Sequence, residues 1–193
     1  MQNLFSIGID SGSRTAKIVV INNENKQIIC SDVTDSGVNP QETCFRLFRS
    51  VLEKSNITEN EIENIFSTGY GRNIVVFSHK RIPEISCHAR GVKYFFPEVR
   101  TVIDIGGQDS KVIAIDESGK VADFAMNDKC AAGTGRFLEV TATILETTVN
   151  KLSITESQAD KELQISSTCV VFAESEIISL ISAGEKPANI IRA

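Results

Sequence analysis

The chain has 193 residues, 41% hydrophobic, 23% charged and 6% aromatic, which is apolar enough to fill one ordinary core or two small ones. Its 25 acidic against 20 basic side chains leave a net charge of −5, which argues against nucleic acid held on a broad basic surface. No apolar run approaches the ~18–20 residues that cross a bilayer. The N-terminal MQNLFSIGIDSG has no basic region or cleavage site, so a soluble, cytoplasmic protein without a membrane partner is expected.

In chain order, the first unit is IDSGSRTAKIVVIN at 9–22. An apolar strand ends in Asp10-x-Gly12, turns, and returns as KIVVI, with QIIC as a third strand, which predicts a three-stranded antiparallel meander. A helix follows. Asn39 caps it, Pro40 takes its first position, Glu42 lies three after the cap, and Cys44, Leu47, Phe48, Val51 and Leu52 recur at helical spacing. A polar stretch runs to about Asn64, then the strand IFSTGY and one or two helices through EISCHARGVKYFF. Cys87 and His88 have no second metal-type neighbour there and read as structural.

The chain then repeats itself. IDIGGQDSKVIAID at 103–116 aligns Asp104 with Asp10, Gly106 with Gly12 and Lys111 with Lys17, always 94 residues on, and VADFAM is the third strand. NDKCAAGTGRFLEVTATILE predicts a helix on which Phe137, Leu138, Thr141, Ile144 and Leu145 share a face. A polar connector, TTVNKLSITESQADKEL, leads to a strand-like QISSTCVVF. The last helix, FAESEIISLISAG, has Glu174 and Glu176 in its first turn. Two rounds of strand-strand-strand-helix-strand-helix predict an α/β protein of two lobes, 1–98 and 99–193, with nucleotide in a cleft between them.

Such hairpins suit a polyphosphate. Gly12, Gly106 and Gly107 let backbone approach closely, and Ser11, Ser13, Thr15 and Ser110 add hydroxyls to an anion-binding nest. Asp10 and Asp104 have the chemistry to hold the waters of Mg²⁺. Ordinary turns would also use Asp and Gly, but matched copies at a fixed offset favour the phosphate reading. No GxxxxGK[ST] occurs, and neither Gly69-Tyr70-Gly71-Arg72 nor Gly133-Thr134-Gly135 completes GxGxxG, which disfavours Walker-type and Rossmann binders. The five cysteines (30, 44, 87, 130, 169) are odd in number and lack a CxxC, so neither a disulfide framework nor a one-chain zinc site is expected.

The stretches GIDSGSRTAK, STGYGR, EISCHARG, TVIDIGGQDSKVI, NDKCAAGTGRFLEV and ISSTCVVFAESEIIS resemble the BadF/BadG/BcrA/BcrD-type ATPases. That family includes the activators of 2-hydroxyacyl-CoA dehydratases and the ATPase subunits of benzoyl-CoA reductase, within the actin, sugar kinase and heat-shock ATPase superfamily. The resemblance implies two ribonuclease H-like lobes of actin-like ATPase type, the second incomplete at its C-terminus. The family pattern continues past the FAESEIIS helix with elements that supply the adenosine side of the pocket. A truncated form, or completion by another chain, is therefore expected.

The resemblance further implies an ATPase coupled to electron transfer: a homodimer sharing one [4Fe-4S] cluster, with Cys130 and Cys169 as each chain's thiolate ligands. Reduced ferredoxin or flavodoxin is the implied electron source, and an acyl-CoA dehydratase or reductase component the implied acceptor. Asp10 and Asp104 would organise Mg²⁺, Lys17 or Lys111 balance phosphate charge, Gly133 and Gly135 join the phosphate-binding set, and Gln108 orient the attacking water. The alternatives are a sugar or carboxylate kinase of the same superfamily, which predicts a catalytic Asp base and no cluster, and a truncated, non-catalytic fragment.

Overall fold

Strict alternation in the first repeat makes strands with one buried face. In β1 (Phe5–Ser11), Ile7, Ile9 and Ser11 are buried, while Asp10 takes the opposite face; in β2 (Thr15–Asn22), Ala16, Ile18 and Val20 are buried, while Lys17 is exposed. The computed structural model describes residues 4–166 and 169–193. β1 and β2 pair antiparallel from Phe5↔Asn22 to Ser11↔Ala16, and β2 pairs antiparallel with β3 (Ile28–Asp35), so the first meander is as expected.

The next helix, α1 (Pro40–Ser55), covers the buried face and packs on β2 and β3. The Asn39 carboxamide accepts from the Glu42 N–H at 3.4 Å and donates to the Glu42 carboxylate at 3.2 Å; Asn56, at φ 55°, ends the helix in the left-handed conformation. Cys44, Leu47, Phe48, Val51 and Leu52 are buried on one stripe, as their spacing predicts. With Ile7, Ile9, Ile18 and Val20 they form the main core, each aliphatic side chain contributing about 1.5–3 kcal/mol.

After α1 the chain returns as β4 (Ile62–Thr68), parallel to β1, and a short β5 (Lys80–Arg81), parallel to β4, completes the order β3-β2-β1-β4-β5. The helix α2 (Glu84–Phe95) falls on EISCHARGVKYF as expected. The second repeat forms a separate three-stranded sheet, β6 (Thr101–Ile105), β7 (Ser110–Ile115) and β8 (Val121–Asn127), in that order.

Beyond β8 the chain is helical: α3 (Gly135–Ile144), α4 (Val149–Glu156), α5 (Val170–Ser182) and α6 (Pro187–Arg192). Three expectations are corrected. The polar connector contains α4, which packs on α6 and buries Leu152. QISSTCVVF is not a strand: 162–166 carry no regular structure, Ser167 and Thr168 lie outside the described residues, and α5 already begins at Val170. Among the described residues the second repeat therefore has no counterpart of β4. The early start of α5 also moves Glu174 and Glu176 out of its first turn; β-branched Val170 and Val171 read as strand, but the helix is fixed by burying Ala173 and Ile177, four apart, on one face. Two compact units result, Met1–Val102 with Ala114–Asp123, and Ile103–Ile113 with Phe124–Ala193.

Candidate functional site

In the first hairpin, the register sets Asp10 opposite Lys17 across the ladder, and the strand period puts both on the same face. The Lys17 ammonium donates to Asp10 Oδ2 at 2.9 Å. The turn closes through Gly12 N–H to the Thr15 carbonyl at 3.1 Å, and a Cβ on Gly12 would meet that carbonyl at 2.7 Å. Asp10 Oδ1 is buried and without a hydrogen-bond partner. A buried carboxylate oxygen with no donor is costly and invites water or a hydrated cation. Of the hydroxyls expected here, Ser13 is exposed and Thr15 half-buried, whereas Ser11 is 1% exposed and its hydroxyl has no hydrogen-bond partner among the described residues.

Two glycines that sequence reasoning set aside complete this end of β1. Gly69 sits at φ +87°, and a Cβ there would lie 2.1 Å from Asp10 Oδ1. The Gly71 N–H donates to the Ser11 carbonyl at 2.7 Å, and a Cβ on Gly71 would lie 2.5 Å from Ser11 Oγ. The signal that could have found them is their place directly after β4, the parallel neighbour of β1. For Cys87, on α2, burial, with some help from the Asp10 charge, pushes the thiol above the ordinary range. Burial does the same to Cys44.

The second hairpin repeats the frame with a different balance. Gly106 N–H donates to the Asp109 carbonyl at 2.8 Å, and the Lys111 ammonium donates to Asp104 at 3.2 Å and to Asp109 at 2.6 Å. Lys111 is buried; Gln108 is exposed, with Gly107 and Ser110 half-buried. The Gly135 N–H, at the start of α3, donates to the Gly106 carbonyl at 2.8 Å, so one of the two expected loop glycines lies on this hairpin. Gly133, at φ +73°, is exposed in the preceding turn.

That turn also presents Cys130. Asn127, at the end of β8, donates to the Cys130 and Ala132 carbonyls at 2.9 and 3.1 Å and accepts from the Cys130 N–H at 3.2 Å. An Asn after a strand is the sequence signal for such a clamp, and sequence reasoning passed over it. Cys169 is the N-cap residue of α5, its carbonyl accepting from the Ala173 N–H at 2.9 Å. Both thiols are free and exposed, whereas Cys44 is buried and Cys30 and Cys87 are partly so. No helix among the described residues is long and apolar enough to cross a membrane.

The model of the BadF/BadG/BcrA/BcrD ATPase family matches residues 7–193. The chain belongs to that family. Membership makes it an ATPase, and the family places both hairpins within one matched region. The activator of lactoyl-CoA dehydratase from Anaerotignum propionicum is 45% identical over 192 residues, 98% of this chain and 72% of that protein. The crystal structure of (R)-2-hydroxyglutaryl-CoA dehydratase component A from Acidaminococcus fermentans superposes with a TM-score of 0.90 at 42% identity, covering 97% of this chain and 72% of that one. The activator of the 2-hydroxyisocaproyl-CoA dehydratase from Clostridium difficile, solved with bound ADPNP, gives 0.88 at 43%, covering 97% and 69%. The fold of this family member is accordingly the two-lobed actin-like ATPase type that the family resemblance implied.

Proposed function

We propose that the chain is an ATP-hydrolysing activator of a 2-hydroxyacyl-CoA dehydratase or benzoyl-CoA reductase-type enzyme, working as a homodimer with a [4Fe-4S] cluster. The observation that carries the reading is the 45% identity to a dehydratase activator over 98% of the chain. The ADPNP bound to a second such activator supports ATP as the nucleotide.

The residues fit Mg²⁺. Asp10 Oδ1 is a buried acceptor lacking a donor, the place for a water of a hydrated ion, which keeps several waters and takes few carboxylates. In the second hairpin, Asp104 presents the equivalent carboxylate. Backbone N–H groups of the glycine turns, with Ser13 and Thr15, bind phosphate oxygens, and the exposed Lys17 balances their charge. Exposed Gln108 orients the water that attacks the terminal phosphate.

The residues fit the cluster too. Cys130 and Cys169 are the two exposed thiols, each ahead of a helix, and two per chain make four ligands in a dimer. When bound, the cluster supplies one-electron chemistry at low potential, drawn from reduced ferredoxin or flavodoxin. The Asn127 clamp holds the Cys130 backbone in the conformation that presents its sulfur. A kinase of the same superfamily is disfavoured, because the second hairpin carries Gln108 where that reading expects a catalytic Asp base.

The test is hydrolysis of Mg·ATP by the full chain, alone and with a 2-hydroxyacyl-CoA dehydratase and reduced ferredoxin. Expected are turnover, ATP-dependent appearance of dehydratase activity, and loss of at least about tenfold in Mg·ADPNP affinity in Asp10→Asn. A phosphorylated sugar or carboxylate as product, or unchanged affinity in Asp10→Asn, overturns the proposal.

A further inference from the structure

The two hairpins share an Asp-x-Gly…Lys frame, yet their lysines have different surroundings. The Lys17 side chain is 48% exposed and faces one carboxylate, Asp10, at 2.9 Å. The Lys111 side chain is 2% exposed, and its ammonium lies between two carboxylates, 2.6 Å from Asp109 Oδ1 and 3.2 Å from Asp104 Oδ2. The difference traces to one position of the repeat: Asp109 stands where the first copy has Thr15. Asp109 is also built into its turn. A Cβ on Gly106 would lie 2.4 Å from its carboxylate, so glycine there makes room for this side chain.

We infer that Lys111 is a positioning residue and not a phosphate ligand: its ammonium takes the place of a cation between Asp104 and Asp109. It thereby holds Asp104 in place for the waters of Mg²⁺ and keeps the carboxylate pair from capturing a metal directly. The inference rests on the Mg·ATP reading and deepens it. To reach a phosphate, Lys111 would have to leave both carboxylates, whose side chains are only 22% and 25% exposed, and give up two close ion pairs at once, which is unfavourable. Lys17, exposed and shared with one carboxylate, turns to a phosphate at small cost. The repeat thus carries two matched lysines with divided roles.

Lys17→Met, Lys111→Met and the double variant Lys111→Met/Asp109→Asn separate these roles, read by ATP hydrolysis and by titration with Mn²⁺ alone. Lys17→Met is expected to raise the KM for ATP about tenfold with kcat within about threefold. Lys111→Met is expected to lower kcat at least about tenfold, with KM within about threefold, and to gain a nucleotide-independent Mn²⁺ site that the wild type lacks. The double variant keeps the cluster's net charge of −1, since one ammonium and one carboxylate leave together. It should lose that Mn²⁺ site, while kcat stays at least about tenfold below wild type because Asp104 still lacks its ammonium partner. Lys111→Met that raises KM as Lys17→Met does with kcat intact, or that binds Mn²⁺ no better than the wild type, overturns the inference. If Lys111→Met does not fold, the double variant decides: a lowered kcat with KM within about threefold of wild type supports it, and a KM raised like that of Lys17→Met, or an unchanged kcat, overturns it. A wild type that does not hydrolyse ATP refutes the Mg·ATP reading, while the Mn²⁺ titrations still decide what Lys111 excludes.

Discussion

At the tip of β1, a single carboxylate oxygen fixes what the neighbouring backbone is allowed to be. Asp10 Oδ1 and the Gly69 Cα are so close that an added methyl group would lie 2.1 Å from the oxygen, in a left-handed conformation that side chains avoid. Gly69→Ala is therefore expected to cost about 1–3 kcal/mol in denaturant unfolding and to weaken Mg·ADPNP binding with it. Unchanged stability and affinity would mean that Asp10 is not held by this contact. The thiols make a second prediction at the same scale. Burial raises the pKa of Cys44 and Cys87 above the ordinary 9.0. At pH 8, alkylation of the folded, metal-free chain should proceed first at Cys130 and Cys169, read by peptide mass mapping. The folded chain keeps the Cys44 and Cys87 protons to higher pH than the unfolded chain does. That contribution is fully present below pH 9 and is lost as pH rises through the raised values, so unfolding becomes easier in strong alkali.

Among the elements, α1 is the clearest case of local sequence deciding structure. Asn39, Pro40 and Glu42 fix its start, and the Cys44-to-Leu52 stripe fixes the face it buries. Asn39→Ala should destabilise the chain by about 1 kcal/mol in thermal or urea unfolding, without altering nucleotide binding. The meanders were equally legible, because alternation and the 94-residue offset are local patterns that burial of one sheet face then enforces. The helices after β8 were less so. α4 is polar along most of its length and is held by packing on α6, a contact distant in sequence, with Leu152 buried. α5 opens with β-branched residues whose strand preference is overridden by burial of Ala173 and Ile177. The same limit holds at the site: Asp10, Gly12 and Lys17 announce themselves by repetition, whereas Gly69, Gly71, Asp109 and Asn127 matter through neighbours that only the fold supplies.

For the molecule as a whole, the ATPase family is set by a match across residues 7–193, and the chain spans 72% of the lactoyl-CoA dehydratase activator it resembles. The proposed coupling of that ATPase to electron transfer requires a redox centre, which we place at the two exposed thiols ahead of α3 and α5. The deciding measurement is iron and acid-labile sulfide in oxygen-free preparations of the wild type, Cys130→Ala and Cys169→Ala. The account predicts about two irons and two sulfides per wild-type chain, with both lost in each variant. Iron-free wild-type protein that still activates a dehydratase, or iron retained in both variants, would contradict it.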